Sequence, residues 1–193
     1  MKTFEEFITE MAQRVPSQLM GYDDKYDNKK MFEYLLDNSR WVKPLDQLNV
    51  NELKMREFNK GEVVRINLSD FKKKRIVYES YFVKGDLPNT LQQTFVWRDI
   101  KVKDTRGVVY KVIFEYILKQ YNLQSDIKQT IEGTNLWMNL LTEAHKRGMD
   151  TFVYNIKTKQ KTVIEKGFDK EDLTKTVIGG PDKLHLTFVI NKK

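Results

Sequence analysis

Apolar residues recur along this chain with two different periods, and each period predicts a different kind of secondary structure. Dense or alternating β-branched and aromatic residues predict strands, at 62–68, 75–83 and 94–102 and, more briefly, at 123–126, 151–157, 162–165 and 184–190. Short polar connections separate the first three strands, so these strands are predicted to pair as an antiparallel meander.

Helical spacing of apolar residues predicts helices in the other parts of the chain. These helices are predicted at 1–15, 29–36, 51–58 and 133–147, and a further one begins after Gly107. Thr3 and Glu6 have the spacing of a capping box in the first helix, and Pro16 ends it. The predicted organisation is an amphipathic helix at 1–15, a helical lead-in at 16–60 and a domain at 61–193.

The stretch from Asp104 to Val109 lies between a predicted strand and a predicted helix. Gly107 lets the chain turn tightly and lets the backbone pass close to a ligand. The first amides of a helix have no partner inside the helix, and they lie at the positive end of its dipole. The sequence of strand, polar turn and helix therefore predicts a site for a phosphate or pyrophosphate.

Composition favours one folded domain and excludes several kinds of chemistry. The chain has 193 residues, of which 40% are hydrophobic, and this is enough for one sizeable core. It has no cysteine, so disulfides and thiolate catalysis are excluded, and its two histidines cannot make an ordinary structural zinc site. No phosphate-loop motif and no dense acidic cluster appear, which disfavours nucleotide hydrolysis, nuclease chemistry and metal dependence. With no long apolar run and no secretory signal, we expect a soluble, intracellular protein without a membrane partner.

The charge of the chain favours polyanions as neighbours. The sequence has 34 basic and 27 acidic residues, a formal net charge of +7. Basic residues cluster at 72–75, 157–161 and 192–193. Non-specific contact with DNA is one interpretation of these clusters. Solvated turns and tails are the other, which is favoured because no aromatic residues are regularly interleaved for base stacking.

The order of the predicted elements, with Arg106-Gly107 in the turn, resembles the GNAT superfamily of acyl-CoA N-acyltransferases. The resemblance implies an α/β (α+β) fold with a mixed, mostly antiparallel sheet that is flanked by helices and splayed near its centre. It also implies that acetyl-CoA binds in the splay. The family writes the turn Arg/Gln-x-x-Gly-x-Gly/Ala, and this chain has Asp104 and Val109 at its first and last positions. The backbone implied to hold the pyrophosphate is that of Thr105, Arg106, Gly107, Val108 and Val109.

A second alignment with the same family places the cofactor helix further along the chain. Residues 133–148 resemble that helix, which usually runs from Gly-Thr through Leu-Leu to Ala-x-x-x-Gly, and residues 165–168 resemble its closing Glu-Lys-x-Gly-Phe. This alignment needs a long strand before Gly133, where the pattern predicts only a short one. The alignment around Gly107 is preferred because it also satisfies the order of elements.

In this family an amine attacks a thioester, so the amine must lose a proton and the departing thiolate must gain one. Asp99 and Asp126, on the strands on either side of the turn and its helix, are candidates to orient or deprotonate the amine. Tyr154, on the strand after the second helix, is the candidate proton donor. Each has a structural alternative, since an aspartate at a strand end is an ordinary helix cap and Tyr154 suits a half-buried strand position.

The first ten residues, 1–10, resemble the capsid-targeting peptide that begins internal head proteins of T-even-type bacteriophages. In that family a prohead protease cuts after an Ile/Leu-x-Glu triplet, which Ile8-Thr9-Glu10 matches. The resemblance implies phage origin, cleavage after Glu10 and packaging in the head. An ordinary first helix that lies on the domain is the alternative interpretation of the same residues.

Functions from different classes follow from these patterns. The first is a phage N-acetyltransferase that, in the host cytoplasm, transfers an acetyl group from acetyl-CoA to an amine of a host protein or small molecule. The second is a catalytically inactive protein of the same fold, packaged in the phage head (the virion interior) or bound to a host factor. Plain DNA binding through the basic clusters is a third.

Overall fold

The computed structural model of the chain describes residues 25–37, 42–127, 131–177 and 185–192. The helix predicted at 1–15, and with it the peptide resemblance at 1–10, lies outside these residues.

The described chain contains four main helical elements and nine strands, besides short 3₁₀ turns at Asp46–Leu48 and Lys103–Thr105. The helical elements are α1 (Lys25–Asp37), α2 (108–119), α3 (Ile131–Lys146) and α4 (Lys170–Val177). The strands are β1 (Val42–Pro44), β2 (Lys54–Lys60), β3 (Val63–Asp70), β4 (Arg75–Lys84), β5 (Thr90–Arg98), β6 (Asn122–Ser125), β7 (Thr151–Asn155), β8 (Lys161–Val163) and β9 (Leu186–Ile190). Within α2, one α-helical turn at Val108–Tyr110 is followed by a π-helix at Lys111–Tyr116 and a 3₁₀ turn at Ile117–Lys119.

The strands form one sheet in the order β1-β2-β3-β4-β5-β6-β9-β7-β8. Each described pair is antiparallel except that of β5 with β6, which is parallel. The connection explains this difference, because β5 reaches β6 through a turn and α2, whereas short hairpins join the strands before it. The prediction of a mixed α/β fold with a mostly antiparallel sheet, and of a meander in its first half, is confirmed.

The two sides of the sheet bury different clusters. On the side that carries α2 and α3, which we call the α2 side, the main core includes Ile66, Leu68, Phe82, Val112, Ile113, Leu140 and Phe188. On the opposite side, the α1 side, residues of α1 pack on the sheet in a cluster of Met31, Phe32, Leu35, Phe58 and Ile76. Residues paired across antiparallel strands point to the same side, so the register identifies the side of each side chain.

The prediction of a helix at 51–58 is wrong. Most of this stretch belongs to β2, which pairs along its whole length with β3. Its pattern has a period of two, since Leu53 and Met55 are buried and Lys54 between them is exposed. The lead-in at 16–60 is therefore helical in α1, but β1 and β2 belong to the same sheet as the strands of 61–193.

The central strand β5 lies four residues earlier than predicted, at Thr90–Arg98 instead of 94–102. Asp99 explains where it ends. The Asp99 side chain accepts a hydrogen bond from the amide of Lys101 at 2.9 Å, and its carbonyl accepts one from the amide of Val102 at 3.1 Å. This local pairing gives the backbone a turn in place of further strand.

Candidate functional site

The sheet opens beside the second half of β5. The pairing of β5 with β6 runs from Thr90 with Asn122 to Gln93 with Ser125, whereas β5 itself continues to Arg98. On its other edge β5 stays paired with β4 as far as Arg98. We call the space between this unpaired part of β5, 94–98, and Asp126 and Ile127, the last described residues after β6, the slot.

The exposure of β5 agrees with this opening. β5 is the fifth strand of nine, yet Thr94 is exposed and Phe95 and Val96 are only half-buried. On β4, by contrast, Ser80 opposite Val96 and Glu79 opposite Trp97 are fully buried. Thr94 is also the extra residue of a β-bulge, since Phe82 pairs with Gln93 whereas the preceding residue of β4 pairs with Phe95. Bulges of this kind often occur next to active sites.

The turn predicted to hold a phosphate lies between the end of β5 and α2. Two of its amides are already used, because Thr105 donates to the carbonyl of Val102 and Arg106 to that of Lys103, both at 3.1 Å. The Thr105 hydroxyl is bonded to the same turn, 2.7 Å from the carbonyl oxygen of Val102. Thr105 is therefore a buried structural residue, and Arg106 offers only its exposed side chain.

Gly107, Val108 and Val109, the other three residues predicted to hold a phosphate, have backbone amides that remain available. Within the described chain, the amides of Gly107, Val108 and Val109 have no hydrogen-bond partner. Gly107 has a φ of 78°, in the left-handed region that favours glycine, and a Cβ built on it would meet nothing within 4 Å. Of the five amides predicted to hold a phosphate, these three at the start of α2 are the ones without a partner in the described chain, and Gly107 borders open space.

Asp104 and Val109, the two residues that differ from the turn pattern of the GNAT superfamily, each contact another part of the chain. Asp104 is exposed, and its Oδ1 accepts a hydrogen bond from Nδ2 of Asn51 at 2.8 Å, which holds the carboxylate toward the β1–β2 connection. Val109 is half-buried and packs against the main core. Neither side chain has to occupy the space in front of Gly107.

Strand directions bring three basic turns to the same end of the sheet as Gly107. β3, β5 and β7 end at this edge, and the turns are 71–74, 99–107 and 156–160. Their exposed basic residues are Lys72, Lys73, Lys74, Lys101, Lys103, Arg106, Lys157 and Lys159. Only Asp99 and Asp104 are acidic in these turns. These three turns therefore carry a net positive charge that favours phosphate groups, although Lys72 and Lys73 are paired with Glu52 and Asp70. Lys192 follows β9 at the opposite end.

The structure places the two candidate carboxylates at different ends of the slot. Asp126 directly follows Ser125, so it is level with Thr94, where the slot closes. Asp99 lies five residues further along the direction of β5, about 16 Å away for an extended strand. The two carboxylates therefore cannot act on one reacting centre.

Both aspartates have structural partners. Oδ2 of Asp99 accepts a hydrogen bond from Nη1 of Arg75 at 3.2 Å, and its other oxygen ends β5 as described above. Oδ1 of Asp126 accepts hydrogen bonds from the Ile127 amide at 2.7 Å and from Nε2 of Gln92 at 3.3 Å. Only Asp126 lies beside the closed end of the slot.

Tyr154 lies away from both carboxylates. It is on β7, which β9 separates from β6, and its side chain is buried with Phe152 and Val189. The neighbouring Val153 belongs to the main core, so Tyr154 points to the α1 side. The structure therefore supports the alternative of a buried strand aromatic more directly than that of a proton donor.

Sequence reasoning missed three buried polar residues, two on β4 and one on β5. Tyr78, Ser80 and Gln93 are buried, and the Tyr78 hydroxyl, the Ser80 hydroxyl and Nε2 of Gln93 have no hydrogen-bond partner. In a strand pattern such residues occupy positions that usually face solvent. Nothing in the sequence signalled their burial, which depends on how α2 and α3 cover the sheet.

Comparison of the chain with protein-family models, with curated proteins and with solved structures finds no match. Among the described residues, no helix is long and apolar enough to span a bilayer. The same residues contain no group of three or more histidine, aspartate or glutamate side chains arranged to hold a metal ion.

Proposed function

We propose that the protein is a GNAT-like N-acyltransferase that transfers an acyl group, with acetyl as the reference, from its CoA thioester to an amine. The observation that carries the proposal is the opening of the sheet next to three unpaired amides. The slot begins where the parallel strands β5 and β6 part, and the amides of Gly107, Val108 and Val109 lie at its open end.

The strand order supports the alignment around Gly107 over the one around Gly133. In the first alignment the strands on either side of the turn and its helix are β5 and β6, which are adjacent and parallel. In the second they are β6 and β7, which are separated by β9. A ligand that lies between two parallel strands is compatible only with the first arrangement.

The residues of the open end fit the phosphates of CoA. Three backbone donors and the positive end of α2 suit a pyrophosphate, and the exposed side chains of Lys103 and Arg106 add charge. From Arg98 to Gln93 the slot runs along five residues of strand, about 16 Å. This length is comparable with an extended pantetheine arm, so the thioester would lie near Gln93 and Asp126.

The chain itself has a limited chemical task in this reaction. Acetyl-CoA, when bound, supplies an activated acyl carbonyl. The protein holds the phosphates at Gly107 and aligns the acceptor amine beside the closed end of the slot. The carboxylate of Asp126 is the group placed to take the proton that the amine loses. The amine nitrogen bonds to the acyl carbon as the C–S bond breaks, and CoA leaves as a thiolate that takes its proton from solvent. Asp99 instead keeps the phosphate-binding turn in place.

Calorimetric titration with acetyl-CoA tests the proposal, with two glycine variants as a matched pair. Gly107 and Gly148 both have a positive φ, and a Cβ on either would meet nothing within 4 Å. Gly107→Ala and Gly148→Ala should therefore lose similar stability, roughly 1 kcal/mol each. Only Gly107→Ala places a methyl group against the phosphates, so it should weaken binding about tenfold or more.

Two results would count against the proposal. Wild-type protein that is folded but gives no heat with acetyl-CoA does not have this function. Equal affinities of the two glycine variants would remove the turn at Gly107 from the binding site.

A second proposal is an inactive protein of the same fold that is packaged in a phage head or binds a host factor. Burial of Tyr154 in an apolar cluster favours it, because the candidate proton donor is then purely structural. The resemblance of residues 1–10 to a capsid-targeting peptide motivates packaging. The basic edge of the sheet would suit non-specific contact with packaged DNA.

Mass spectrometry of purified virions tests the second proposal. Packaging with cleavage predicts a fragment that starts at Met11, whereas its absence from virions would remove the packaging claim. Contact with DNA through the basic edge predicts an affinity that falls steeply as salt is raised.

A further inference from the structure

The strand β8 is one edge of the sheet, and its outer side has no partner strand among the described residues. All of its residues are exposed, including the apolar Val163, which is 68% exposed. At the other edge of the sheet, β1 ends with Pro44, which has no amide to offer to a further strand. β8 contains no proline, so its backbone can pair with another strand.

The hydrogen bonds at the two ends of β8 show which backbone groups face its neighbour β7. The carbonyl of Gln160 accepts a hydrogen bond from the amide of Asn155 at 2.9 Å, and the amide of Ile164 donates one to the carbonyl of Thr151 at 3.0 Å. In an antiparallel pair, residues that exchange hydrogen bonds with the neighbour alternate with residues that do not. The middle residue of β8 therefore bonds to β7, and the residues on either side of it do not.

Those two residues, Lys161 and Val163, direct their amides and carbonyls to the open edge. Their side chains lie on the α1 side, because Val163 pairs with Phe152, a member of the apolar cluster on that side. A lysine often protects an edge strand. Here Nζ of Lys161 lies 4.8 Å from the centre of the Phe152 ring, over the face of the sheet. The lysine therefore leaves the edge itself open.

The outward groups of β8 match those of a second copy of the same strand. Two β8 strands that run antiparallel about a two-fold axis at Thr162 bring Lys161 of each copy opposite Val163 of the other. Each of these pairs exchanges backbone hydrogen bonds, so every outward group of β8 is satisfied. The two Thr162 side chains face each other, which is a favourable cross-strand pair. The apolar stem of Lys161 covers the exposed Val163 of the other copy.

Charged residues on either side of β8 are complementary about the same axis. Lys159 precedes Thr162 by three residues and Glu165 follows it by three, so the lysine of each copy lies opposite the glutamate of the other. Both side chains are exposed, and neither forms an ion pair within the part of the chain that the structure describes. Opposite charges across paired strands are favourable, whereas like charges are unfavourable.

We propose that the protein forms a two-fold symmetric dimer in which the β8 strands of two copies pair antiparallel and join the two sheets into one. The interface is isologous, so the association closes at the dimer. It is also small, because β8 has only three residues, and the dimer is therefore weak and reversible. β9 and β7 lie between β6 and β8, so the dimer leaves the slot open.

Sedimentation equilibrium at protein concentrations from micromolar to millimolar tests this inference. The average mass of the wild-type protein should rise with concentration toward twice the mass of one chain and should not exceed it. Glu165→Lys and Lys159→Glu each replace both ion pairs by like-charge contacts, so each should raise the Kd of the dimer about tenfold. The double variant Lys159→Glu/Glu165→Lys restores opposite charges across the axis and should return the Kd to that of the wild type.

Glu115→Lys is the matched control for the charge variants. Glu115 is exposed and precedes Tyr116, whose hydroxyl donates a hydrogen bond to Glu57 of β2, at the other end of the strand order from β8. This variant has the same net charge as Glu165→Lys, and it should leave the Kd unchanged. Val163→Pro removes an outward amide at an edge position, where proline is tolerated, and it should abolish measurable association. Circular dichroism should show that all variants are folded.

Several results would overturn the inference. One is a wild-type protein that stays a monomer at every concentration, and another is an average mass beyond that of a dimer. Single charge variants that associate as tightly as Glu115→Lys would remove the ion pairs from the interface. A double variant that associates as weakly as the single variants would exclude the register centred on Thr162. None of these measurements involves CoA, so their outcome is independent of the proposed function.

Discussion

Gln93 and Ser125 are the last paired residues of the parallel strands β5 and β6, and both are buried where the sheet opens. They differ in how their polar atoms are satisfied. The Ser125 hydroxyl accepts a hydrogen bond from the amide of Phe188 at 2.9 Å, whereas Nε2 of Gln93 has no partner. The closed end of the slot is therefore fixed to β9 on one side and keeps an unused donor on the other.

Filling the slot should block ligand binding without unfolding the protein. Thr94 is exposed although it lies in the central strand, so Thr94→Trp can place its ring in the slot. We expect the affinity for acetyl-CoA, measured by calorimetry, to fall about tenfold or more. The free energy of unfolding should change by no more than about 0.5 kcal/mol, as for an exposed position.

Thr162→Trp is the matched control for this variant. Thr162 is an exposed threonine on the edge strand β8, away from the slot. Its substitution should leave binding unchanged. If Thr94→Trp binds acetyl-CoA as well as Thr162→Trp does, the ligand does not pass between β5 and the chain after β6.

We expect Asp99 to stabilise the fold and not to take part in acyl transfer. Its carboxylate is 3.2 Å from Nη1 of Arg75, and both side chains are partly exposed. Asp99→Asn removes the charge but can keep the bond from the Lys101 amide, so we expect a loss of about 1 kcal/mol in urea unfolding. Arg75→Met should show little additional effect in a double-mutant cycle. Unchanged stability combined with lost acyl transfer would instead make Asp99 a catalytic residue.

The sequence was sufficient to predict the elements that have a strong period and a local stop signal. β3, β4 and α3 were placed to within two residues, because dense β-branched residues or a continuous helical stripe mark them. The segment at 51–58 failed because its few apolar residues fit either period. Pairing with β3 decided the outcome, and such pairing is a tertiary effect that a single stretch does not reveal.

The candidate site was predictable only where the backbone conformation requires a particular residue. Gly107 was identified because a glycine at a turn before a helix is informative in the sequence, and its φ of 78° agrees. The amides of Thr105 and Arg106 have backbone partners in a 3₁₀ turn, and such a turn leaves no sequence signal. Ser80 and Gln93 were missed because their burial depends on helices that are distant in the chain.

Two buried serines should respond oppositely to the same substitution. Ser80 and Ser125 are both 0% exposed, but only the Ser125 hydroxyl has a partner. Ser125→Ala leaves the Phe188 amide unpaired and should lower stability by roughly 1–2 kcal/mol, whereas Ser80→Ala removes an unsatisfied group and should leave stability equal or raise it. Thermal or urea unfolding measures both. Equal losses would mean that Ser80 has a partner, such as a buried water.

Alkaline pH should destabilise the protein through Tyr78. A tyrosine in the unfolded chain has a pKa of about 10, and burial raises the pKa of Tyr78 in the folded state. Below pH of about 10 the ring is neutral in both states, so stability does not depend on it. Above that pH the unfolded chain loses a proton that the folded chain retains, so the unfolded state is favoured by up to about 1.4 kcal/mol per pH unit.

Urea unfolding at a series of pH values from neutral to alkaline measures this effect. Tyr78→Phe removes the ionisable hydroxyl, so its stability should fall less steeply than that of wild-type protein once the pH exceeds about 10. Ser80→Ala keeps the hydroxyl of Tyr78 in its buried position, and it should retain the steep fall. Parallel curves for wild-type and Tyr78→Phe would show that Tyr78 ionises in the folded protein. In that case water reaches the Tyr78 hydroxyl.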